Sequence, residues 1–216
     1  MDGIFSPPHQ IGCTGATAEL AFDYARTHGL VEEWNFGYES FHGENITCPW
    51  TPADSFNKGA VAAISGFTTL PTNNYTAVMN AVAKLGPVAV SVAASPWAFY
   101  ESGVFSAAFN TSRSTDVNHL VVLEGYGTDD ETGEDYWLVR NSWGPRWGEN
   151  GYIRLKRQDP TDIDPFDYCG LDVTPADGVS CTKDETGNAI DPPAAPICGT
   201  SGILYDTSIP LGGYLL

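Results

Sequence analysis

Downstream of Gly86-Pro87 the chain breaks into short apolar runs, "VAVSVAA", "HLVVLEG", "YWLVRNS" and "GYIRLKR", separated by glycine-rich or acidic turns. Runs this short, rich in β-branched and aromatic residues, make strands, and several in succession predict a barrel or sandwich of antiparallel strands. Upstream the period changes. "TGATAELAFDYARTHG" reads as a helix with Leu20 and Tyr24 on one face, Ala21, Ala25 and His28 on another, and Gly29 at its end. "NNYTAVMNAVAKLGP" reads as a second helix. Asn73 or Asn74 would cap it, Tyr75, Val78, Met79, Val82 and Leu85 would form its buried stripe, and Gly86-Pro87 would stop it. Between the two lie an aromatic loop, "EEWNFGYESFHGENITCPWTPADS", and a strand-like "AVAAISGFTTL".

Helices confined to the first part of the chain and a run of strands after them predict an α+β chain, with six Trp, ten Tyr and ten Phe to fill a core. We divide it into residues 1–60, 61–175 and 176–216. The last of these shifts to Pro, Gly, Asp and Thr and predicts no helix. There Cys181 and Cys198 are expected to pair, closing a loop worth roughly 3 kcal/mol in the chain-entropy model.

Ten Lys and Arg against 27 Asp and Glu leave a formal charge of −17. Such a surface repels nucleic acid and anionic membrane, and no apolar run is long enough to span a bilayer. The five cysteines, Cys13, Cys48, Cys169, Cys181 and Cys198, form no C-x-x-C pair, which argues against a zinc site or a thioredoxin-type motif, and no metal or organic cofactor is expected. Asn45, Asn74 and Asn110 each open an Asn-x-Ser/Thr sequon, an acceptor for N-glycosylation in a secreted protein. The start, "MDGIFSPPHQ", lacks the pattern of an export signal. Together these features lead us to expect that an N-terminal segment precedes residue 1.

His119 heads the run "HLVVLEGYG", and Asn141 follows 22 residues later in "YWLVRNSWGPRWGENGYIRLKR". A neutral asparagine can accept a hydrogen bond from an imidazole and fix its tautomer and direction, as the third member of a catalytic triad does. Trp143 and Trp147 beside the pair would exclude water. Taken alone, Asn141 reads equally well as a strand-end residue bonded to backbone, with the tryptophans as core. The combination of His119 with Asn-Ser-Trp-Gly favours the catalytic reading.

These pieces resemble the C-terminal two-thirds of a papain-family, cathepsin-type cysteine protease. The likeness runs from residue 11 to about 175, through "GCTGA", "ELAFDYARTHGL", "EEWNFGY", "LGPVAVSVAA", "SGVF", "NHLVVLEGYG", "YWLVRNSWGPRWGENGYIRL" and "CGL". It implies a papain-like fold, a helical domain beside an antiparallel β-barrel, and peptide or protein substrates. It implies that His119 is the general base and partner of a cysteine thiolate, that Asn141 orients it, and that Trp143 covers the pair, with Trp147 in support. It sets Gly15 and Ala16 along the substrate backbone. Ala18, Val117 and Leu120, with Ser91 and Thr174 and next to Asn118, line a second specificity pocket expected to be apolar. A lysosomal, vacuolar or extracellular setting follows from the same likeness.

The nucleophile of such enzymes lies in C-G-[SA]-C-[WY], ~130–150 residues before the histidine. No such motif occurs in the 216 residues. The expected nucleophile therefore belongs to a missing N-terminal segment or a second chain. The resemblance gives Cys13, Cys48 and Cys169 structural disulfide roles, with partners upstream of residue 1 for the first two and after "SGVF" for the third, where no cysteine stands. The absent segment would also carry a helix against Leu20 and Tyr24, which are then expected to face water. Ala16 stands where the family has glycine, and Glu124 stands in a strand position that is usually apolar. The alternatives are a catalytically dead secreted glycoprotein that binds peptides or a protease, and a structural or storage protein.

Overall fold

In the computed structural model the described residues are 16–39, 41–43, 58–106, 115–175, 182–183, 189–190 and 193–216. The chain divides into two compact units, one of Met1–Thr68 with Pro210–Leu216 and one of Thr69–Ile209.

In the first unit, α1 (Ala18–His28) is followed by β1 (Leu30–Val31) and β2 (Ala60–Thr69). Gly29 ends α1 with φ 69°, a conformation that favours glycine, and its N–H bonds Ala25 O at 3.2 Å. The Leu20/Tyr24 face is not open to water as expected. Tyr24 is 7% exposed, its ring tilted against His28 at 4.9 Å, and Leu20 is partly buried. Strand order is β1-β2-β12, the last being the end of the chain's final strand (Thr207–Leu215). Ser65 Oγ donates to Gly212 O at 3.0 Å and Leu216 N–H to Val61 O at 3.0 Å.

The second unit holds α2 (Tyr75–Lys84), β3 (Val88–Val92), a 3-10 turn (Ser95–Phe99), β4 (Val104–Phe105), β5 (His119–Thr128), β6 (Asp135–Arg140) and β7 (Tyr152–Lys156). It continues through α3 (Pro165–Tyr168), β8 (Cys169–Asp172), β9 (Thr182–Lys183), β10 (Ala189–Ile190), β11 (Ala195–Cys198) and the first residues of β12. Its strands run in the order β12-β3-β5-β6-β7-β4, antiparallel except for β4 beside β7. The architecture is α+β, with a large, mostly antiparallel sheet. Val90, Val92, Val121, Leu123, Val139, Ile153 and Leu155 point inward from alternate strand positions and form the core with Trp97, Trp137, Ile203 and Leu204. Each such burial contributes about 1.5–3 kcal/mol.

Asn74 caps α2, its side chain accepting the Ala77 N–H at 2.9 Å. Val78 is fully buried, but the stripe differs from the expected one at its end. Ala81 is in the core while Leu85, at the C-cap, is 66% exposed. Glu124 sits at a bulge between Leu123 and Gly125, where the strand leaves its partner's register. There it is partly buried, accepts the Tyr152 hydroxyl at 3.2 Å and lies 3.7 Å from Arg140, so it needs no tail residue for a partner.

Two expectations for the tail are corrected. Cys198 is bonded to Cys169, not to Cys181, because β11 pairs with β8 in a register that sets the two residues opposite each other. Cys169 thus has its partner in the tail rather than after "SGVF". The tail is also no separate extension, since β11, the turn at Thr200–Gly202 and Thr207–Ile209 are built into the second unit. Cys13, Cys48 and Cys181 lie outside the described residues, as do Asn45 and Asn110. Asn74 is exposed. No helix among the described residues is long and apolar enough to cross a membrane.

Candidate active site

His119 is the first residue of β5, and Asn141 directly follows β6. Because β5 and β6 are antiparallel neighbours, the start of one lies beside the end of the other. A separation of 22 residues in sequence thereby closes to 2.8 Å between His119 Nε2 and Asn141 Oδ1. The Asn141 backbone is held in turn by its N–H to Gly151 O at 3.0 Å.

The hydrogen-bond network fixes the direction of this contact. Asn141 Oδ1 also accepts the Ser142 backbone N–H at 2.7 Å, which can only donate. The amide oxygen is therefore the atom facing His119, and Nε2 must carry the proton it shares. Nδ1 is left as the nitrogen able to take or give a proton. Asn141 is 8% exposed and its Nδ2 has no hydrogen-bond partner among the described residues.

Two tryptophans flank His119, and a third packs against them. The Trp143 ring lies 5.2 Å from His119, and Trp97 meets it edge-on at 6.5 Å. Trp147 stacks on Trp97 at 6.3 Å and meets Trp143 edge-on at 5.0 Å. Trp97 is fully buried and donates from Nε1 to Ser201 Oγ at 3.0 Å, while Trp147 Nε1 donates to Trp97 O at 3.2 Å. Trp143, 43% exposed, forms the outer cover. Excluding water strengthens the His119–Asn141 hydrogen bond and limits competition for it.

A second polar layer holds the segment leading into His119. Asp172, fully buried at the end of β8, accepts the Val117 N–H at 3.2 Å and the Thr174 N–H at 2.8 Å. Asn118 donates to Ser95 Oγ at 2.9 Å and to Asp116 at 3.1 Å, and accepts the Ala94 N–H at 3.3 Å. Thr174 Oγ1 bonds Asp116 at 3.1 Å. Thr174 and Asn118 are thus exposed residues of one loop cluster. Val117, expected to line a pocket, is fully enclosed, and with Ile197 it packs against the side of Gly202 that has no side chain.

Ser91 and Leu120 are brought together as cross-strand partners on β3 and β5, one position from the pair Val92 and His119. Ala16 is exposed and Ala18 buried, both in the first unit, and Gly15 lies outside the described residues. Sequence reasoning missed Trp97, Asp172 and Ser201. Only Trp97, in "SPWAFY", left a trace, an aromatic beside a proline that starts a turn.

The model of the papain family of cysteine proteases matches residues 6–176. This chain belongs to that family. Among relatives of the papain family, vignain of Phaseolus vulgaris is 37% identical over 186 residues, 84% of this chain and 47% of its own length. Cathepsin L1 of Drosophila melanogaster is 39% identical over 150 residues, 68% of this chain and 37% of its own. The chain thus spans less than half the length of either. Of solved papain-family structures, a digestive procathepsin L 3 from the larval midgut of Tenebrio molitor superposes with a TM-score of 0.65 at 28% identity, covering 94% of this chain and 50% of that one. The bromelain protease from Ananas comosus in complex with the E64 inhibitor gives 0.64 at 29% identity, covering 93% and 72%.

Proposed function

We propose that this chain supplies the histidine and asparagine of a papain-type endopeptidase, acting with a cysteine thiolate from a segment or second chain not among these 216 residues. The 2.8 Å contact from His119 Nε2 to Asn141 Oδ1 under Trp143 carries the reading. It leaves Nδ1 as the nitrogen for proton transfer. The absence of a C-G-x-C-W motif from the sequence sets the thiol elsewhere.

In the reaction the thiolate sulfur attacks the peptide carbonyl carbon. The tetrahedral intermediate collapses with cleavage of the C–N bond, and the departing amine takes the proton from His119 Nδ1. Water then attacks the thioester, giving its proton to Nδ1, and the C–S bond breaks to release the acid. Asn141 keeps the ring in register through both proton transfers. The disulfide between Cys169 and Cys198 fits a protein that folds in the oxidising ER lumen on the way to an extracellular, lysosomal or vacuolar setting.

The test is to label the natural protein with a thiol-reactive epoxide peptide and map the modified residue by mass spectrometry. Label on a cysteine in a peptide absent from this sequence supports the reading. Absence of label, with peptide still bound, assigns the chain to the inactive, peptide-binding alternative.

A further inference from the structure

We propose that Asn74 carries an N-linked oligosaccharide on its side-chain nitrogen while the oxygen of the same amide caps α2. The modification is independent of whether the chain cleaves peptides.

Two asparagines stand side by side before α2, and the fold uses them differently. Asn73, with φ 57°, commits both ends of its amide to the tail: Nδ2 donates to Pro196 O at 2.7 Å, and Oδ1 accepts the Cys198 N–H at 3.0 Å. Its backbone N–H donates to Leu204 O at 2.7 Å, so the segment is pinned. Asn74 commits only its oxygen, which accepts the Ala77 N–H at 2.9 Å. Among the described residues nothing accepts a hydrogen bond from its Nδ2.

Asn74 opens the triplet Asn-Tyr-Thr, which is the acceptor pattern for N-glycosylation. The fold separates its three side chains. Tyr75 turns inward, its ring edge-on to Trp137 at 5.7 Å, while Asn74 and Thr76 on either side of it are exposed. A sugar added to the unfolded chain therefore meets no core when α2 forms. Asn80, one turn further on, makes the contrast: it is exposed too, but its Nδ2 donates to Thr76 O at 2.9 Å and no Ser or Thr follows two residues later.

In the transfer a bond forms between Nδ2 and C1 of an N-acetylglucosamine. The C1–O bond to a lipid diphosphate donor breaks, the diphosphate leaves, and one Nδ2 proton is lost. The product is still an amide, and its oxygen keeps both lone pairs. Cap and sugar thus occupy opposite ends of one group. The oxidising lumen in which the Cys169–Cys198 bond forms is also where such transfer takes place. The sugar stands at the junction of α2 with β11, beside the exposed Pro71, Thr72 and Pro196.

The experiment maps peptides of the natural protein by mass spectrometry before and after peptide N-glycosidase. We expect the peptide holding Asn74 to carry N-acetylhexosamine and, after the enzyme, to hold aspartate at that position. Asn74 found unmodified, or a sugar that the enzyme leaves in place on Thr72 or Thr76, overturns the proposal. Secreted variants test the cap. Thr76→Ala removes the sugar and keeps the cap, whereas Asn74→Ala removes both, so N74A should melt about 2–4 °C below T76A. Equal melting temperatures for the two overturn the capping role. The glycosylated wild type should melt no lower than T76A. If it does melt lower, the sugar displaces the cap, and the double use of Asn74 is overturned.

Discussion

Two polar clusters stand on one sheet, around β5, β6 and β7, and they differ in what they leave over. At the start of β5 and just past β6, His119 and Asn141 share one hydrogen bond with no carboxylate in it, roofed by tryptophan. Around β7, Arg154 donates from Nε and Nη2 to Glu149 at 2.7 and 2.6 Å, and from Nη1 to Asp129. Glu149 also accepts the Gly103 N–H at 2.9 Å. In the ionic cluster every part of the guanidinium is engaged, and its proton is held more tightly than usual by Glu149 and Asp129, against the opposing cost of burial. In the His119–Asn141 cluster one ring nitrogen remains able to exchange a proton. The same sheet thus carries one cluster arranged for holding and one arranged for chemistry.

The sharpest way to break this contrast is His119→Ala in the thiol-bearing enzyme. We expect a loss of about 10²–10⁴ in kcat/KM, the range for a positioned acid–base group, with the melting temperature little changed. Comparable activity in H119A would remove His119 from the chemistry. Peptide cleavage and thermal unfolding measured on one preparation separate the two effects.

Next in size is the double substitution of Cys169 and Cys198 by alanine. The sequence separation is 29, for which the chain-entropy model gives about 3.5 kcal/mol. Urea unfolding reads this directly. The bond joins β11 to the strand that ends in Asp172, and Asp172 holds the backbone at Val117, two residues before the histidine. Activity should therefore fall along with stability, which distinguishes this site from the ionic cluster.

Arg154→Met should cost less, about 2 kcal/mol, as charged hydrogen bonds at a partly buried site are lost. Peptide cleavage should stay within about twofold, since none of the groups in this cluster is among those around His119. If R154M instead lowers activity as steeply as it lowers stability, the two clusters are not separate.

What could be read in advance follows how local each feature is. The strands, the Asn74 cap and the pair His119 and Asn141 rest on periodicity, on a side chain bonding three residues on, and on one specific motif. Cys198 could not be assigned to Cys169 because only the β8–β11 register sets them opposite each other. β11 and β12 show no strand pattern in the sequence because Pro196, Pro210, Gly212 and Gly213 are residues that strands usually exclude. Nothing in the sequence around Asp206 points to Ser91, 115 residues away, and only the fold brings the two together. Trp97 was passed over since nothing near it in sequence shows that it stacks on Trp147. Tyr24 escaped the expected exposure for a similar reason: helical periodicity gives the face of a residue but not what covers it.

The smallest effect is also the most specific, because it depends on charge alone. The Asp129 carboxyl is lowered from 3.8 to about 2, first by the Thr132 N–H and then by Arg154, and Glu149 is lowered chiefly by Arg154. A carboxyl depressed in the folded state contributes stability above its unfolded pKa and loses it as pH falls through the folded value. The contribution is thus complete above about pH 4 and fades toward pH 2. Melting temperatures of wild type and R154M should differ most near pH 5 and draw together by pH 2. Carboxylates common to both proteins, such as Asp172 and Asp206, cancel in that difference. The pair His119 and Asn141 contains no carboxylate, so N141A should show a gap from wild type that does not close across the same window. A gap that narrows equally in both variants would mean that acid weakens the sheet as a whole, and the division between a holding cluster and a chemical one would have to be given up.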